Sequence, residues 1–466
     1  ASETAKIKSS PISDQIKEDL EKLEERAPNL ALDNLEGPKI SIIIPTTLDG
    51  KPFLEQCLVS IGEECNPDYT ELIIIDNASL DDTFDYLEQI KKDEFFNCQV
   101  IVNTENKGFA PSVNQGLERA EGEYAAIMHN DVILQDYALD RMAALLDEHD
   151  ELGLIGPLTN HTLNPNQEVN GQPDGSGDVQ ETQYIDSFCM MLRTETGVKL
   201  DEEYAPAFFD DLDLCFQVMD KDKKVGIAND VEVEHRGDIT TKPLGLIVEN
   251  RQYWKNIAYF NQKWELPTPM PEFETDDPIT RLCELAELIN PYYPEDELLQ
   301  LFEETYSDKV KTKIMKTQFD DNILFQLVFL MMVTEQRKVL RRLEDQLENT
   351  SPPKNLIMHL IRFYYERNIY SRCRHYISML AEDNKIPEAE IFQLKIAVGE
   401  RDLDEAVALA NELMDKYPSN IDVLHLAGTI HKLENNVEES EKFFEITRQA
   451  NPFEYQKNNE KSTNLA

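Results

Sequence analysis

The sequence predicts an α/β domain built on a mostly parallel sheet, followed by an all-α domain of helical repeats. Three observations carry this expectation. Between Ile40 and Met128, apolar β-branched runs alternate with amphipathic stretches, the change of period that marks successive βαβ units. A proline-rich segment without helical period, PTPMPEFETDDP (267–278), then interrupts the chain, as linkers do. Beyond it the pattern is helical, and turn features recur at intervals of 34 residues.

Residues 1–37 are polar and charged, with a short amphipathic helix expected over Ser13–Arg26. They read as a surface arm to an α/β domain at 38–266. The run Ile40–Ile44 suits a parallel strand buried on both faces. A helix is expected over Pro52–Glu63, a strand over Glu71–Ile75 and a helix over Leu80–Lys92. Strand Cys98–Val102, helix Ala110–Ala120 and strand Tyr124–Met128 follow. Polar residues gather where strands end: Thr46 and Thr47, Asp76 and Asn77, Asn103 to Asn106, and His129 to Asp131. Open α/β sheets bind ligands outside the carboxyl ends of their strands, so these clusters predict a single binding rim. Residues 160–184 are rich in Asn, Gly, Pro, Asp and Gln and read as a long binding loop or lid. Strand-like Ser187–Leu192 and a helix over Asp211–Lys221 come next.

After the linker, residues 279–466 read as the repeat domain. Pro418 and Pro452 each follow an amphipathic helix, and the turns Tyr365–Asn368, Gly399–Asp402 and Leu433–Asn436 keep the same spacing. A 34-residue helix–turn–helix unit resembles the tetratricopeptide repeat, whose stacks bind peptides or partner proteins on a concave surface. The same helices could instead buttress the first domain or pair two chains as a homo-oligomer.

The 466 residues include 90 Asp+Glu and 45 Lys+Arg, a formal net charge of −45. Such a surface repels nucleic-acid phosphates and acidic lipid headgroups, and no basic block offsets it. A hydrophobic share of 41% excludes a wholly disordered chain. The seven cysteines are scattered and form no CxxC pair, which suits free thiols in a reducing compartment. With no signal peptide and no apolar run of about 20 residues, the expectation is a soluble, cytoplasmic protein without a membrane span. Any anionic substrate would need a metal ion or local dipoles to hold it.

Two stretches could carry chemistry. His129-Asn130-Asp131 follows the apolar strand YAAIM, and Asp131 can offer a carboxylate to Mg²⁺ or Mn²⁺, with imidazole acceptable to Mn²⁺. FFDDLDLC (208–215) places three carboxylates within four residues, directly after an aromatic pair. Acids favour the first turn of a helix, which accounts for Asp213. In the consecutive pair, one of Asp210 and Asp211 can face a cleft and take a proton while the other fixes the backbone. His235, taken alone, reads as a structural or surface histidine.

Together these stretches make residues 39–265 resemble the family 2 nucleotide-sugar glycosyltransferases of the GT-A fold, a Rossmann-like arrangement. The matching segments are ISIIIPT (40–46), ELIIIDNASLDDT (71–83), NKGFAPSVNQGL (106–117), MHNDV (128–132), FFDDLDLC (208–215) and EHRGD (234–238). The resemblance implies that Pro45 and Thr46 border the nucleotide, and that Asp76 bonds the uracil or ribose in a turn shaped by Asn77 and Ser79. It puts Asn106 and Gly108 near base and sugar, with Asn114 on the helix beneath. His129-Asn130-Asp131 stands at the family's DxD position, which makes Asp131 the expected ligand of Mn²⁺ or Mg²⁺. His235 completes the metal sphere, and Asp211 is the base of the family's ED pair beside Asp210. The departure is His129, where the motif has an acid.

The expected reaction is inverting transfer from a nucleoside-diphosphate sugar, UDP foremost, to a hydroxyl acceptor, with Asp211 as general base. A protein acceptor such as flagellin, read by the repeats, is one expectation; a polysaccharide or lipid-linked glycan is another. A non-catalytic scaffold with a decayed transferase domain is the rival of a different class.

Overall fold

A computed structural model describes residues 37–48, 50–93, 96–169, 178–237, 251–271, 273, 275–380 and 387–452. The helix expected over Ser13–Arg26 lies outside these residues. The chain divides into two units, one of residues 1–244 with 445–466 and one of residues 245–444.

The first unit is α/β. Its strands are β1 (Ile40–Leu48), β2 (Thr70–Ser79), β3 (Asn97–Asn103), β4 (Tyr124–Met128), β5 (Val132–Ile133), β6 (Leu152–Thr159), β7 (Val179–Thr182), β8 (Cys189–Arg193) and β9 (Lys224–His235). They lie in the order β3-β2-β1-β4-β8-β6-β9-β5, with β7 also on β9. Pairs β1–β2, β2–β3, β1–β4 and β6–β9 are parallel. Strand β8 runs antiparallel to both β4 and β6, and β5 and β7 run antiparallel to β9. The sheet is thus mixed but mostly parallel. Its helices are α1 (Lys51–Glu64), α2 (Thr83–Asp93), α3 (Phe109–Leu117), α4 (Ala138–Glu148) and α5 (Asp210–Asp220).

Both sheet faces are covered, which is why the strands read as unbroken apolar runs. Ile42, Ile44 and Ile74 pack with Leu54 and Ile61 of α1 in one core. Their alternates Ile43, Ile73 and Ile75 pack with Val113 of α3 in the other. Helix α3 lies so close to β1 that a Cβ on Gly116 would sit 2.4 Å from Ile43 Cγ2. At the amino end of β1 the buried Lys39 ammonium bonds Glu123 at 2.7 Å and Asp147 at 2.8 Å, and the Tyr124 hydroxyl donates to Asp147 at 2.6 Å. That end of the sheet is filled by paired charge, leaving the carboxyl end for ligands.

The second unit is helical. It opens with α6 (Arg251–Lys263), where the carbonyl of Trp254 accepts from Asn290 Nδ2 at 3.2 Å. The sequence placed this helix in the α/β domain, whereas the division between the two compact units falls at 244/245. Helices α7 (Pro278–Leu288), α8 (Asp296–Thr305) and α9 (Asp308–Lys316) precede a series of hairpins. These pair α10 (Asp321–Val333) with α11 (Arg337–Leu347), α12 (Lys354–Tyr365) with α13 (Tyr370–Met379), α14 (Pro387–Glu400) with α15 (Leu403–Lys416), and α16 (Ile421–Leu433) with α17 (Val437–Ala450), whose residues from Glu445 on belong to the first unit. Their turns repeat one device. Glu335, Asn368, Arg401 and Asn435 all have φ between 55° and 61°. In each case the next residue's N–H bonds a carbonyl five residues back: Gln336 to Met331, Ile369 to Tyr364, Asp402 to Ala397 and Asn436 to His431. This is the Schellman closure of a helix end.

Among the described residues no helix is long and apolar enough to cross a membrane. All seven cysteines are unpaired. Because Ile43 is β-branched and fully buried, it cannot move aside for a new methyl group. Gly116→Ala should therefore destabilise the first unit by about 1–3 kcal/mol, read as a lower Tm in thermal denaturation.

Candidate active site

Strands β1 and β4 are adjacent and parallel, yet β1 leads through α1 to β2 on one side while β4 lies on the other. This is the switch point at which an open α/β sheet leaves a crevice. The crevice wall is polar. Asn130 Nδ2 donates to Thr46 Oγ1 at 3.0 Å, tying the two strand ends together. Gly50 passes so close that a Cβ there would lie 2.5 Å from Thr46 Oγ1 and 2.7 Å from Asn130 Nδ2.

On the β2 side, Pro45 pairs in register with Ile75 and Thr46 with Asp76. The buried Asp76 carboxylate accepts from the Ser79 N–H at 3.0 Å, and the Ser79 hydroxyl is buried with no partner of its own. Asn77 is a hub: its Nδ2 donates to Asn106 Oδ1 at 2.6 Å, and its Oδ1 accepts from Asn103 Nδ2 at 2.9 Å and the Lys107 N–H at 3.0 Å. Asn106 in turn accepts from the Gly108 N–H at 2.8 Å and donates to the carbonyls of Gln449 and Ala450. Gly108 has φ 90°, a conformation that glycine adopts freely. The structure therefore brings Thr46, Asp76, Asn77, Ser79, Asn106, Gly108 and Asn130 to one rim. Asn114 is employed elsewhere. Both polar atoms of its amide bond Leu200, and Nδ2 also reaches Glu202, so it braces α3 against the chain before α5.

His129, Asp131 and His235 come together although 106 residues separate the two histidines. The cause is topological, since Val132 of β5 pairs directly with His235 at the end of β9. One potential ligand atom from each residue lies within 4.8 Å of the others. His235 Nε2 is 3.4 Å from His129 Nδ1 and 3.5 Å from Asp131 Oδ1. Its Nδ1 lies 2.7 Å from the His161 carbonyl, which can only accept, so the proton belongs on Nδ1 and Nε2 turns its lone pair into the cluster. Second-shell carbonyls fix ligating histidines in this way. Phe188 stacks on His235 and Phe109 meets His129 edge-on.

Burial lowers the His129 pKa to about 4, helped by the neighbouring His235, so His129 is neutral. Burial also acts to lower His235, but the Asp131 carboxylate and the His161 carbonyl outweigh it and raise that group. Two imidazoles and a carboxylate, converging from one side, are a donor set that fits a divalent cation and leaves positions open for substrate oxygens.

Asp210 and Asp211 open α5, where Phe208 and Phe209 have φ 78° and 72°. Burial first, then the charges of Asp186 and Asp213, raise Asp210 to about 7, and its Oδ2 is buried without a partner. Burial, with the charges of Asp186 and Asp210, raises Asp211 well above the carboxylate range. Asp211 accepts from the Leu212 N–H at 2.7 Å and the Tyr184 hydroxyl at 3.1 Å. Asp213 is structural, as it bonds Tyr204 and Gln217.

Three neighbours escaped sequence reasoning. Tyr184 and Asp186 face Asp211, and the Ser187 hydroxyl lies 3.4 Å from His129 Nε2. Their placement follows from the antiparallel pairing of β8 with β4, which brings the chain just before β8 to the carboxyl end of β4.

Residues 41–194, all within the first unit, match the family described as glycosyl transferase family 2. The chain is 36% identical over 124 residues to a poly(ribitol-phosphate) beta-glucosyltransferase of Bacillus spizizenii, covering 26% of this chain and 19% of that one. It is 29% identical over 111 residues to a GalNAc(5)-diNAcBac-PP-undecaprenol beta-1,3-glucosyltransferase of Campylobacter jejuni, covering 24% and 35%. The chain thus spans well under half the length of the curated relatives it matches. Among solved structures, S. aureus TarS 1-349 in complex with UDP-GlcNAc overlaps 72% of this chain and 90% of its own, at 15% identity and a TM-score of 0.40.

If the cluster holds a cation, Asp131→Asn and His235→Ala should each weaken Mn²⁺ binding by roughly 10–100-fold or more, measured by calorimetry. His149→Ala, at a half-buried position outside the cluster, should leave it unchanged.

Proposed function

We propose that the protein transfers a sugar, with inversion, from a nucleoside-diphosphate sugar to an acceptor hydroxyl. The observation that carries this reading is the presence of two groups of opposite use in one family 2 domain. A histidine–aspartate cluster suits a cation, and a buried acid pair at a helix start suits proton transfer. In this reading Pro45, Thr46, Asp76, Asn77, Ser79, Asn106, Gly108 and Asn130 form the donor side, with UDP as the first nucleotide to test. His129, Asp131 and His235 would hold Mn²⁺ or Mg²⁺, which when bound offsets charge on the departing diphosphate. Asp211 takes the acceptor proton, and its pKa, raised by burial and by the charges of Asp186 and Asp210, makes it a stronger base than an ordinary aspartate. Asp210 fixes the start of α5 beside it.

The acceptor follows from the second unit. Hairpins that repeat at 33 or 34 residues, each closed by the same left-handed turn, support a tetratricopeptide-like array that reads a polypeptide, with transfer to Ser or Thr of a surface protein such as flagellin. The relatives named for wall polymers and lipid-linked glycans favour a second reading, a glycan acceptor. The net charge of −45 disfavours a polyanionic polymer within that class.

A panel of nucleotide sugars, scored for nucleotide release with and without Mn²⁺, tests the chemistry; silence across the panel would count for the scaffold alternative. Asp211→Asn should lower kcat by at least about 100-fold while donor affinity stays within about threefold. Loss of donor binding with turnover retained would remove Asp211 from the base role. Mass spectrometry of peptide and glycan acceptors then separates the two acceptor classes.

A further inference from the structure

Asp186 has no place in the donor rim, the cation cluster or the acid pair, yet it touches the machinery of all that lies around α5. It is half-buried among polar partners. Its Oδ2 accepts from the Thr162 hydroxyl at 2.7 Å and the Leu163 N–H at 3.0 Å. Its own N–H donates to Gln167 Oε1 at 2.6 Å, and Gln167, fully buried, also donates to the Pro157 carbonyl at the end of β6. Its carboxyl and that of Asp211 are neighbours, each shifting the other's ionisation. Tyr184, two residues earlier, donates to the other side of the contact, at Asp211 Oδ2. Ser187, one residue later, reaches His129. One short segment, Tyr184–Ser187, therefore connects the acid pair to the cation cluster.

We propose that Asp186 is a positioning residue for Asp211, and that Tyr184–Ser187 is the brace that sets the distance between the proton acceptor and the cation cluster. The inference rests on Asp211 as the base. Two donors hold Asp186 as an anion: although burial opposes ionisation, Thr162, Leu163 and the nearby His129 and Asp211 bring its pKa below the ordinary value. The charge of Asp186 favours the protonated form of Asp211, after burial itself. The charged and titratable groups facing Asp211 are Asp186 and Tyr184 on the brace, and Asp210 and Cys215 on its own helix. His129 acts on it only through Asp186. Of these, Asp186 is the charge that Asp211 must overcome to ionise, so Asp186 sets the pH at which the base becomes available.

Asp186→Asn keeps shape and can keep the Thr162 and Leu163 bonds through its amide oxygen, but removes the charge. In the full-length protein, the infrared band of protonated Asp211 is assigned by its loss in Asp211→Asn and followed against pH. In Asp186→Asn the midpoint should fall by about one unit or more. In Tyr184→Phe it should rise, because a donor to the ionised form is lost. With UDP-GlcNAc hydrolysis in Mn²⁺ as the turnover probe, Asp186→Asn should lower kcat about 10-fold at unchanged KM and move the acid limb of kcat to lower pH. A lower Tm with an unmoved Asp211 band would reduce Asp186 to a fold residue and overturn the proposal. Absence of turnover in the wild type would count against the transferase reading, while the band would still decide the role of Asp186.

Discussion

The first unit depends on one constraint: β1 and β4 are parallel neighbours whose connections depart to opposite sides. Strand carboxyl ends that are not covered by a crossover leave a crevice, and backbone groups there need partners. Thr46 and Asn130 supply one such partnership across the gap. At the other end of the same strands, Lys39 is closed in by Glu123 and Asp147. A buried ion pair of this kind contributes little net stability, but it occupies space that water or ligand would otherwise take. The crevice is polar and open at one end because the other end is sealed.

The same constraint resolves how a strongly acidic chain can hold an anionic donor. A charge of −45 acts over the surface and is screened over about 8–10 Å; within the crevice, desolvation decides which groups are charged. Burial and neighbouring carboxylates, Asp186 and Asp213 for Asp210 and Asp186 and Asp210 for Asp211, push both pKa values up and so reduce the negative charge of the pair. His129 is neutral, with a lone pair free for a cation. Asp131 and Asp186 remain ionised because each has donors: the Gly237 N–H for the first, Thr162 and Leu163 for the second. The crevice is therefore much less anionic than its composition, and the carboxylates that stay charged are those the fold has supplied with protons to accept.

The parts of the fold that were legible in sequence are those where one residue type repeats. Strands buried on both faces announce themselves as isoleucine runs, and polar clusters at the ends of parallel strands mark a rim. What was illegible depends on strand direction. Asp186 stands three residues before β8, and a rule about carboxyl ends passes over it; because β8 is antiparallel to β4, its start lies at the carboxyl end of β4. His235 was uninformative alone because the pairing of β5 with β9 that brings it to Asp131 has only two residues on one side. In the helical unit, sequence disclosed the turns at Asn368, Arg401 and Asn435. The equivalent turn at Glu335 was not evident, because no glycine or asparagine marks a left-handed position there.

The placement of the acid pair shows how local strain serves the crevice. Phe208 and Phe209 both adopt left-handed φ values, at a cost of about 1–3 kcal/mol each for residues that carry a Cβ. Glycine would relieve that strain, but it would also surrender two aromatic side chains at the mouth of a desolvated site. With the backbone turned sharply just before α5, the first two helical positions enter the pocket side by side, and Asp213 on the next turn is left to bond Tyr204 and Gln217. A relaxed entry would swing Asp211 away from Tyr184 and Asp186 and expose it to water, where an aspartate reverts to its ordinary acidity. The strain, the burial and the brace of Tyr184–Ser187 therefore work on one quantity, the proton affinity of a single carboxyl, and a change in any of them alters the other two.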